Sequence, residues 1–134
     1  ATALLCEVGD FNVFESGREF AAWLGLVPKQ NTSGGKIRLG RISKAGNQYL
    51  RCLLINGARA LYNVSKTKKQ IPALHWLSDL CSRKPVNVGV VAMANKLART
   101  LWAIIVHDRD YDSHFVSKPP VFPQKTQHQK LMAA

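Results

Sequence analysis

Apolar residues recur along most of this chain with the period of an α-helix. Over residues 43–66 they return every three or four positions, which is the spacing of one buried helix face. That face comprises Leu50, Leu53, Leu54, Ala58, Leu61 and Val64. A wider apolar stripe, the strongest helical pattern in the chain, covers residues 88–107. These two stripes predict the central helices of an all-α domain.

Capping and turn residues predict the remaining helices. Ser16 and Glu19 have the S-x-x-E spacing of a capping box, so a short helix is predicted over residues 17–24. Another helix is predicted over residues 2–8, before a Gly-Asp pair. Proline is favoured in the first turn of a helix, which predicts a further helix over residues 72–83.

The segment over residues 29–42 has no helical period. It contains three glycines and alternates basic with apolar residues, a pattern typical of a loop or a short irregular hairpin. Ser43 follows and is predicted to cap the next helix, whose free N–H groups could bind a phosphate. The fold class is therefore all-α, with about five helices, one inserted Gly-rich basic loop or hairpin, and a domain spanning residues 1–112. Residues 113–134 are rich in Pro, Lys and Gln and are predicted to form an extended tail.

Charge changes the picture, because the chain is strongly basic and the charge is unevenly placed. Nineteen Lys and Arg residues against eight Asp and Glu residues give a net charge of +11. No acidic residue occurs between Glu19 and Asp79, whereas ten basic residues do: Lys29, Lys36, Arg38, Arg41, Lys44, Arg51, Arg59, Lys66, Lys68 and Lys69. Like charges crowded on one segment repel each other, and a bound polyanion offsets this repulsion. Nucleic acid is the commonest polyanion. An anionic membrane is less favoured, because the segment is not one amphipathic helix.

Metal, disulfide and export signals are absent from the sequence. The eight acids fall in three short regions, and the alternating acids of residues 108–112 lack the Gly and distal Glu of a calcium loop. The three cysteines have no CxxC spacing, so they are predicted to be buried free thiols of a reducing compartment. The N-terminus lacks the regions of a signal peptide. We therefore predict a cytoplasmic protein with no metal site in these residues.

Ser33 is the candidate nucleophile in the basic segment. It lies beside two glycines, which permit close approach of a backbone, and Lys36, Arg38 and Arg41 follow it. These cations could neutralise the oxygens of a phosphodiester under attack. However, no His or Asp lies within sequence reach to act as its base. On spacing alone, Ser33 is better explained as a turn residue.

Several segments together resemble the C-terminal transposase domain of the DEDD-type insertion-sequence transposases, the family related to the pilin-gene invertase. The matching segments include E-V-G-D at residues 7–10, the stretch from Phe14 to Pro28, S-G-G-K at 33–36, I-S-K-A-G-N-x-Y-L-R at 42–51 and A-N-K-L-A-R at 94–99. The resemblance runs from residue 1 to about residue 112. Two features depart from the family pattern: the P-G-I-G segment that normally precedes this domain is absent, and the tail matches nothing in it.

The resemblance implies a function for Ser33. In this family a serine that precedes a glycine, just after a G-L-x-P segment, attacks a DNA phosphate and forms a transient phosphoserine link. The magnesium ligands belong to a separate RuvC-like domain, so Mg²⁺ is expected there and these residues alone are expected to be inactive. Basic and polar residues of the same region are the predicted DNA contacts: Lys36, Arg38, Arg41, Ser43, Lys44, Asn47 and Arg51.

Other partners and a competing function stay open at this point. Because family members include bridge-RNA-guided recombinases, a guide RNA is a candidate partner, as is a second copy of the protein in a homo-oligomer. No membrane partner is expected. The alternative function is a non-catalytic module that binds DNA or contacts another subunit, with Ser33 serving only as a loop residue.

Overall fold

A computed structural model describes residues 2–68 and 70–114 of the chain. Within them it contains five α-helices, one short 3₁₀ turn over Phe11–Val13 and one two-stranded antiparallel sheet. In chain order the elements are α1 Thr2–Val8, α2 Gly17–Trp23, β1 Pro28–Ser33, β2 Lys36–Ile42, α3 Gln48–Ser65, α4 Pro72–Arg83 and α5 Val86–His107. The all-α prediction is correct for the body of the domain but omits the sheet. The predicted hairpin is confirmed, and all but the first two residues of the predicted tail lie outside the described residues.

Helix α5 is the centre of the packing. Helices α2, α3 and α4 all contact it, and it buries Val90, Met93, Ala94 and Ala98 among them. Among the described helices, only α5 is long and apolar enough by composition to cross a membrane. Its contacts with three other helices are those of a central helix in a helical domain.

Helix α3 buries a narrower face than its apolar residues predict. Leu50, Leu54 and Ala58 are buried in the core. Leu53 and Val64, which the sequence pattern assigns to the same face, are exposed. The apolar stripe of α3 is therefore wider than the surface that covers it.

An aromatic cluster joins α2 to the 3₁₀ turn. The ring of Phe20 is completely buried, with its centroid 5.3 Å from that of Phe11 and 5.2 Å from that of Phe14. The backbone N–H of Glu19 donates to Oγ of Ser16 over 3.3 Å, as the capping-box pattern predicts. The carboxylate of Glu19 accepts from the N–H of Glu15, one residue earlier than a standard box. The cap fixes where α2 begins.

Helix α3 begins four residues later than predicted. Its N-cap is Asn47, whose Oδ1 accepts from the N–H of Leu50 over 3.1 Å. Lys44 and Gly46 have φ angles of 54° and 92°, which a right-handed helix cannot contain. The prediction that Ser43 caps α3 is therefore wrong, and so is the helix N-terminus proposed as a phosphate site at Ser43 and Lys44.

The hairpin turns through Gly34 and Gly35. Their φ angles of 59° and 73° are both positive, as the type I′ turn of a two-residue hairpin requires. A Cβ at either position would have no atom within 4 Å. The two glycines are therefore needed for the backbone angles of the turn, and the space beside them is open.

Two further glycines allow the base of the hairpin to pack closely against the helical body. A Cβ on Gly25 would overlap the carbonyl oxygen of Ala45, and one on Gly46 would overlap that of Trp23. The N–H of Lys44 donates to the carbonyl of Gly25 over 3.1 Å, so the two segments are also hydrogen-bonded. We call this crossing of residues 23–25 and 44–46 the glycine crossing. It fixes how the hairpin leaves the domain.

The cysteines are free but not uniformly buried. Cys6 and Cys52 are exposed, so the prediction of buried thiols is wrong for both. Cys6 lies on the solvent-exposed side of α1 and Cys52 on that of α3. Cys81 is partly buried behind Gly89, and this burial raises the pKa of its thiol.

The glycine crossing can be tested by comparing two glycines with positive φ. We expect Gly34→Ala to lower the free energy of unfolding by about 1–2 kcal/mol, because only the left-handed backbone is penalised. Gly46→Ala adds a backbone overlap and should cost about 3 kcal/mol or more. Urea unfolding monitored by circular dichroism measures both values. Equal destabilisation by the two substitutions would show that the crossing does not constrain the fold.

Candidate nucleic-acid interface

The hairpin projects from the helical body and is open to solvent. Every residue from Pro28 to Arg41 is exposed. A two-stranded hairpin is marginally stable alone, so its stability depends on the turn and on the base. The N–H of Ser43 extends the pairing by donating to the carbonyl of Val27 over 2.9 Å, directly next to the glycine crossing.

The strand register places Ser33 and two predicted DNA contacts on one face of the hairpin. Ser33 pairs with Lys36, and Asn31 pairs with Arg38. Because side chains alternate between faces, these four residues share one side of the ribbon. Thr32 is paired with Ile37, and this pair points to the opposite side. The candidate nucleophile is thus accompanied by two cations at the exposed end of the hairpin.

Arg41, Ser43 and Lys44 lie at the base of the hairpin. An irregularity between Pro28 and Gln30 interrupts the regular pairing opposite Arg41. Arg41 and Lys44 are exposed, whereas Ser43 is half-buried. The hydroxyl of Ser43 accepts from the N–H of Ala45 over 3.4 Å, so part of its hydrogen-bonding capacity is used within the chain.

Asn47 makes its hydrogen bonds inside the domain. Besides capping α3, its Nδ2 donates to Oε2 of Glu7 over 2.8 Å and ties α3 to α1. Both ends of its amide are therefore occupied by the fold.

Arg51 supports the base of the hairpin from within. Its side chain is only 8% exposed, and Nη1 donates to the carbonyls of Leu24 and Ala45 over 3.2 and 3.5 Å. One guanidinium nitrogen thus joins the chain entering the hairpin to the chain leaving it. We therefore leave Arg51 out of the proposed DNA-contact set and assign it a role in holding the glycine crossing.

The exposed cations have no acidic partners. Between residues that the structure describes, the only ion pair within 4.0 Å joins His75 to Asp79. The same residues include no group of three or more His, Cys, Asp or Glu side chains arranged to hold a metal ion. The donor set needed for Mg²⁺ is thus not offered by this part of the chain. The positive charge of the hairpin face is available to an external anion.

A second basic surface includes three residues outside the acid-free segment that the sequence pattern did not indicate. Arg18, Lys96 and Arg99 line a groove of about 1810 Å³ together with Arg41 and Lys44. We call this the α5 groove. Lys96 and Arg99 lie three residues apart on α5, whereas Arg18 lies 78 residues earlier, next to Glu19, so only the packing of α2 on α5 brings Arg18 to them.

Comparison with known families identifies the family of the chain. Residues 1–72, just over half of the chain, match the family model described as "Transposase IS116/IS110/IS902 family". The chain belongs to that family. The matched residues include the hairpin, the glycine crossing and α3.

Curated relatives support the same assignment. Over 111 residues the chain is 50% identical to a Pseudomonas aeruginosa protein named "Probable family 20 transposase" and 43% identical to the Coxiella burnetii "Transposase for insertion sequence element IS1111A". Over 105 residues it is 39% identical to the Yersinia enterocolitica "Transposase for insertion sequence element IS1328". These alignments cover 83%, 83% and 78% of the chain, but only 32%, 30% and 31% of the relatives. The chain therefore spans about a third of their length. No solved structure matches it.

The two roles considered for Arg51 predict different effects of its removal. We expect Arg51→Met to lower the free energy of unfolding by about 1–3 kcal/mol, because two carbonyls lose a charged donor. The salt dependence of DNA binding should not change. Arg59→Met, an exposed position two turns later on α3, is the matched control and should change stability by less than about 0.5 kcal/mol. A salt slope flattened by about one unit in Arg51→Met would instead indicate a direct phosphate contact.

Proposed function

We propose that this family domain binds DNA through the hairpin and supplies Ser33 as the nucleophile for strand cleavage and exchange in transposition. The observation that carries the proposal is the shared face of Ser33, Lys36 and Arg38 at the exposed end of the hairpin. A nucleophile that attacks a DNA phosphate must be sterically accessible and needs nearby cations to offset the phosphate charge. This face offers both. The open space beside Gly34 and Gly35 would let a DNA backbone approach Ser33 closely.

The proposed step exchanges one phosphate ester linkage for another and so conserves the bond energy. Oγ of Ser33 attacks phosphorus and loses its proton to solvent, while one bridging P–O bond of the DNA strand breaks. The departing deoxyribose oxygen takes up a proton. The DNA phosphate is then held as a phosphoserine ester, and a hydroxyl of another strand can displace Ser33 without an external energy source. Lys36 and Arg38 would stabilise the extra negative charge that develops on the phosphate oxygens.

Mg²⁺ is expected on another part of the full-length protein. The described residues do not fit a magnesium site, because they lack a suitable cluster of oxygen ligands. We propose accordingly that these residues do not recombine DNA unaided.

The alternative is a module that binds DNA or another subunit without chemistry. Such a module would use the same exposed, cationic hairpin for binding, and Ser33 would be only a structural residue beside the turn. A guide RNA or a second protein copy are further candidate partners. Either form of the alternative differs from the leading function in that Ser33 does not become bonded to DNA.

Ser33→Ala in the intact protein separates these functions. We expect DNA affinity to stay within about twofold of the wild type, because no cation is removed. The covalent protein–DNA adduct should disappear, as measured on denaturing gels with end-labelled DNA and Mg²⁺.

Thr32→Ala is the matched control for this experiment. It removes the neighbouring hydroxyl, which lies on the opposite face of the hairpin, and should leave the adduct at the wild-type level. An undiminished adduct in Ser33→Ala would reject Ser33 as the nucleophile and favour the non-catalytic module.

Charge reversal tests the cations on the Ser33 face. Lys36→Glu with Arg38→Glu should weaken duplex DNA binding and flatten the slope of log K against log salt by about 0.9 per lost phosphate contact. Arg59→Glu with Arg83→Glu makes the same change in net charge on α3 and α4. If the control pair flattens the slope as much as the hairpin pair, binding depends on total charge and not on this face.

A further inference from the structure

The α5 groove brings together basic residues from four segments of the chain. Arg18 comes from α2, Arg41 from β2, Lys44 from the glycine crossing, and Lys96 and Arg99 from α5. All five side chains are exposed, and none is ion-paired with a described acid. They are therefore available to bind an external anion.

Packing between α2 and α5 fixes part of this arrangement. A Cβ on Gly17 would lie 3.1 Å from both Cα and the carbonyl oxygen of Arg99, so the first turn of α2 rests on the backbone of α5. Arg18 and Arg99 consequently line the same small cavity beside the groove, together with Glu19. The carboxylate of Glu19 already accepts from the N–H of Glu15 over 2.7 Å. Arg18 and Arg99 thus line one cavity, and neither forms an ion pair with Glu19 within 4.0 Å.

The floor of the groove is apolar and includes an exposed aromatic ring. Val91, Ala92 and Trp76 are among the residues that line it. The ring of Trp76 is 38% exposed, and Nζ of Lys96 lies 4.8 Å from its centroid. Basic residues around an apolar, partly aromatic floor match the two components of a nucleic-acid single strand. Its phosphates pair with cations, and its base faces stack on aromatic or apolar side chains.

Two acids also line the groove. Asp110 and Asp112 follow α5 and line the groove near its C-terminal end. Among the cations, Arg18 lies on α2, and Lys96 and Arg99 lie on α5 before these acids. The groove reaches the base of the hairpin at Arg41 and Lys44. Arg109, next to Asp110 in the chain, lines the groove too, so this segment contributes both signs of charge.

We propose that the α5 groove binds single-stranded DNA, with Arg18, Lys96 and Arg99 contacting phosphates and Trp76 contacting a base. The proposal rests on the proposed function, because cleavage and exchange at Ser33 release a single strand next to the hairpin. The groove would hold that strand while Ser33 remains bonded to the other side of the break. The hairpin face and the α5 groove are then two sites with different substrates, a phosphodiester to be cleaved and a strand to be retained.

Arg18→Gln combined with Arg99→Gln tests the phosphate contacts in the intact protein. We expect affinity for a single-stranded oligodeoxynucleotide to fall about tenfold or more at low salt, with the slope of log K against log salt flattened by about 1.4 for two contacts. Arg59→Gln with Arg83→Gln is the charge-matched control and should have the smaller effect. Thermal unfolding should be unchanged, because both arginine side chains are exposed and Gly17 packs on backbone.

Trp76→Leu tests the base contact separately. It should lower single-strand affinity about tenfold while leaving the salt slope unchanged, because stacking involves no counterion release. Two reference ligands are measured in parallel, duplex DNA of the same length and single-stranded RNA of the same sequence. Both should be affected less than the single-stranded DNA.

The proposal is overturned by any of three results. The Arg18 and Arg99 substitutions could behave like the control pair, the duplex could lose as much affinity as the single strand, or only RNA binding could respond. Failure of Ser33 as the nucleophile is a separate outcome, because Ser33→Ala is scored by the adduct and leaves the groove intact. An adduct that persists in Ser33→Ala would therefore remove the source proposed for the strand, but not the binding measured here.

Discussion

The glycine crossing is the constraint on which the rest of this structure depends. Gly25 and Gly46 let two backbone segments approach more closely than any side chain would allow, and Arg51 bridges the carbonyls of Leu24 and Ala45 from the core side. The exposed hairpin has few other contacts with the helical body that could fix its orientation. Because the crossing lies at both ends of the hairpin, it can transmit the rigidity of the helical core to Ser33.

A buried arginine without a carboxylate partner is consistent with the charge of the whole region. A carboxylate there would partly neutralise the positive surface around the hairpin, whereas carbonyl dipoles satisfy the guanidinium without adding negative charge. The missing acids therefore matter inside the domain as well as on its surface. The unpaired cations of the hairpin and of the α5 groove keep their full charge for an external polyanion.

Sequence patterns predicted the helices and the basic hairpin but not how the segments meet. Apolar periods predicted α3 and α5, a proline in the first turn predicted α4, and the glycines with alternating basic and apolar residues indicated a loop or hairpin. The predicted start of α3 was wrong although Ser43 is an acceptable cap by residue type. The positive φ angles of Lys44 and Gly46, which rule out a helix there, occur where these residues pack against Trp23 and Gly25. Arg51 looked like one more basic residue of the segment, since only tertiary contacts show that it is buried. Arg18 and Arg99 gave no local signal, because 80 residues separate positions that adjoin through Gly17.

The proposed cleavage face and the proposed strand-binding groove place different demands on the residues that line them. A cleavage face needs a small nucleophile, open access and cations at short range, and the end of a glycine turn provides these with little apolar surface. A strand-holding surface needs area for bases as well as charge, and the incompletely covered side of α5 provides it. Arg41 and Lys44, at the hairpin base, line the second surface and adjoin the first. Substitutions there should therefore affect both sites, whereas Lys36 and Arg38 affect only the cleavage face, and Arg18 and Arg99 affect only the groove.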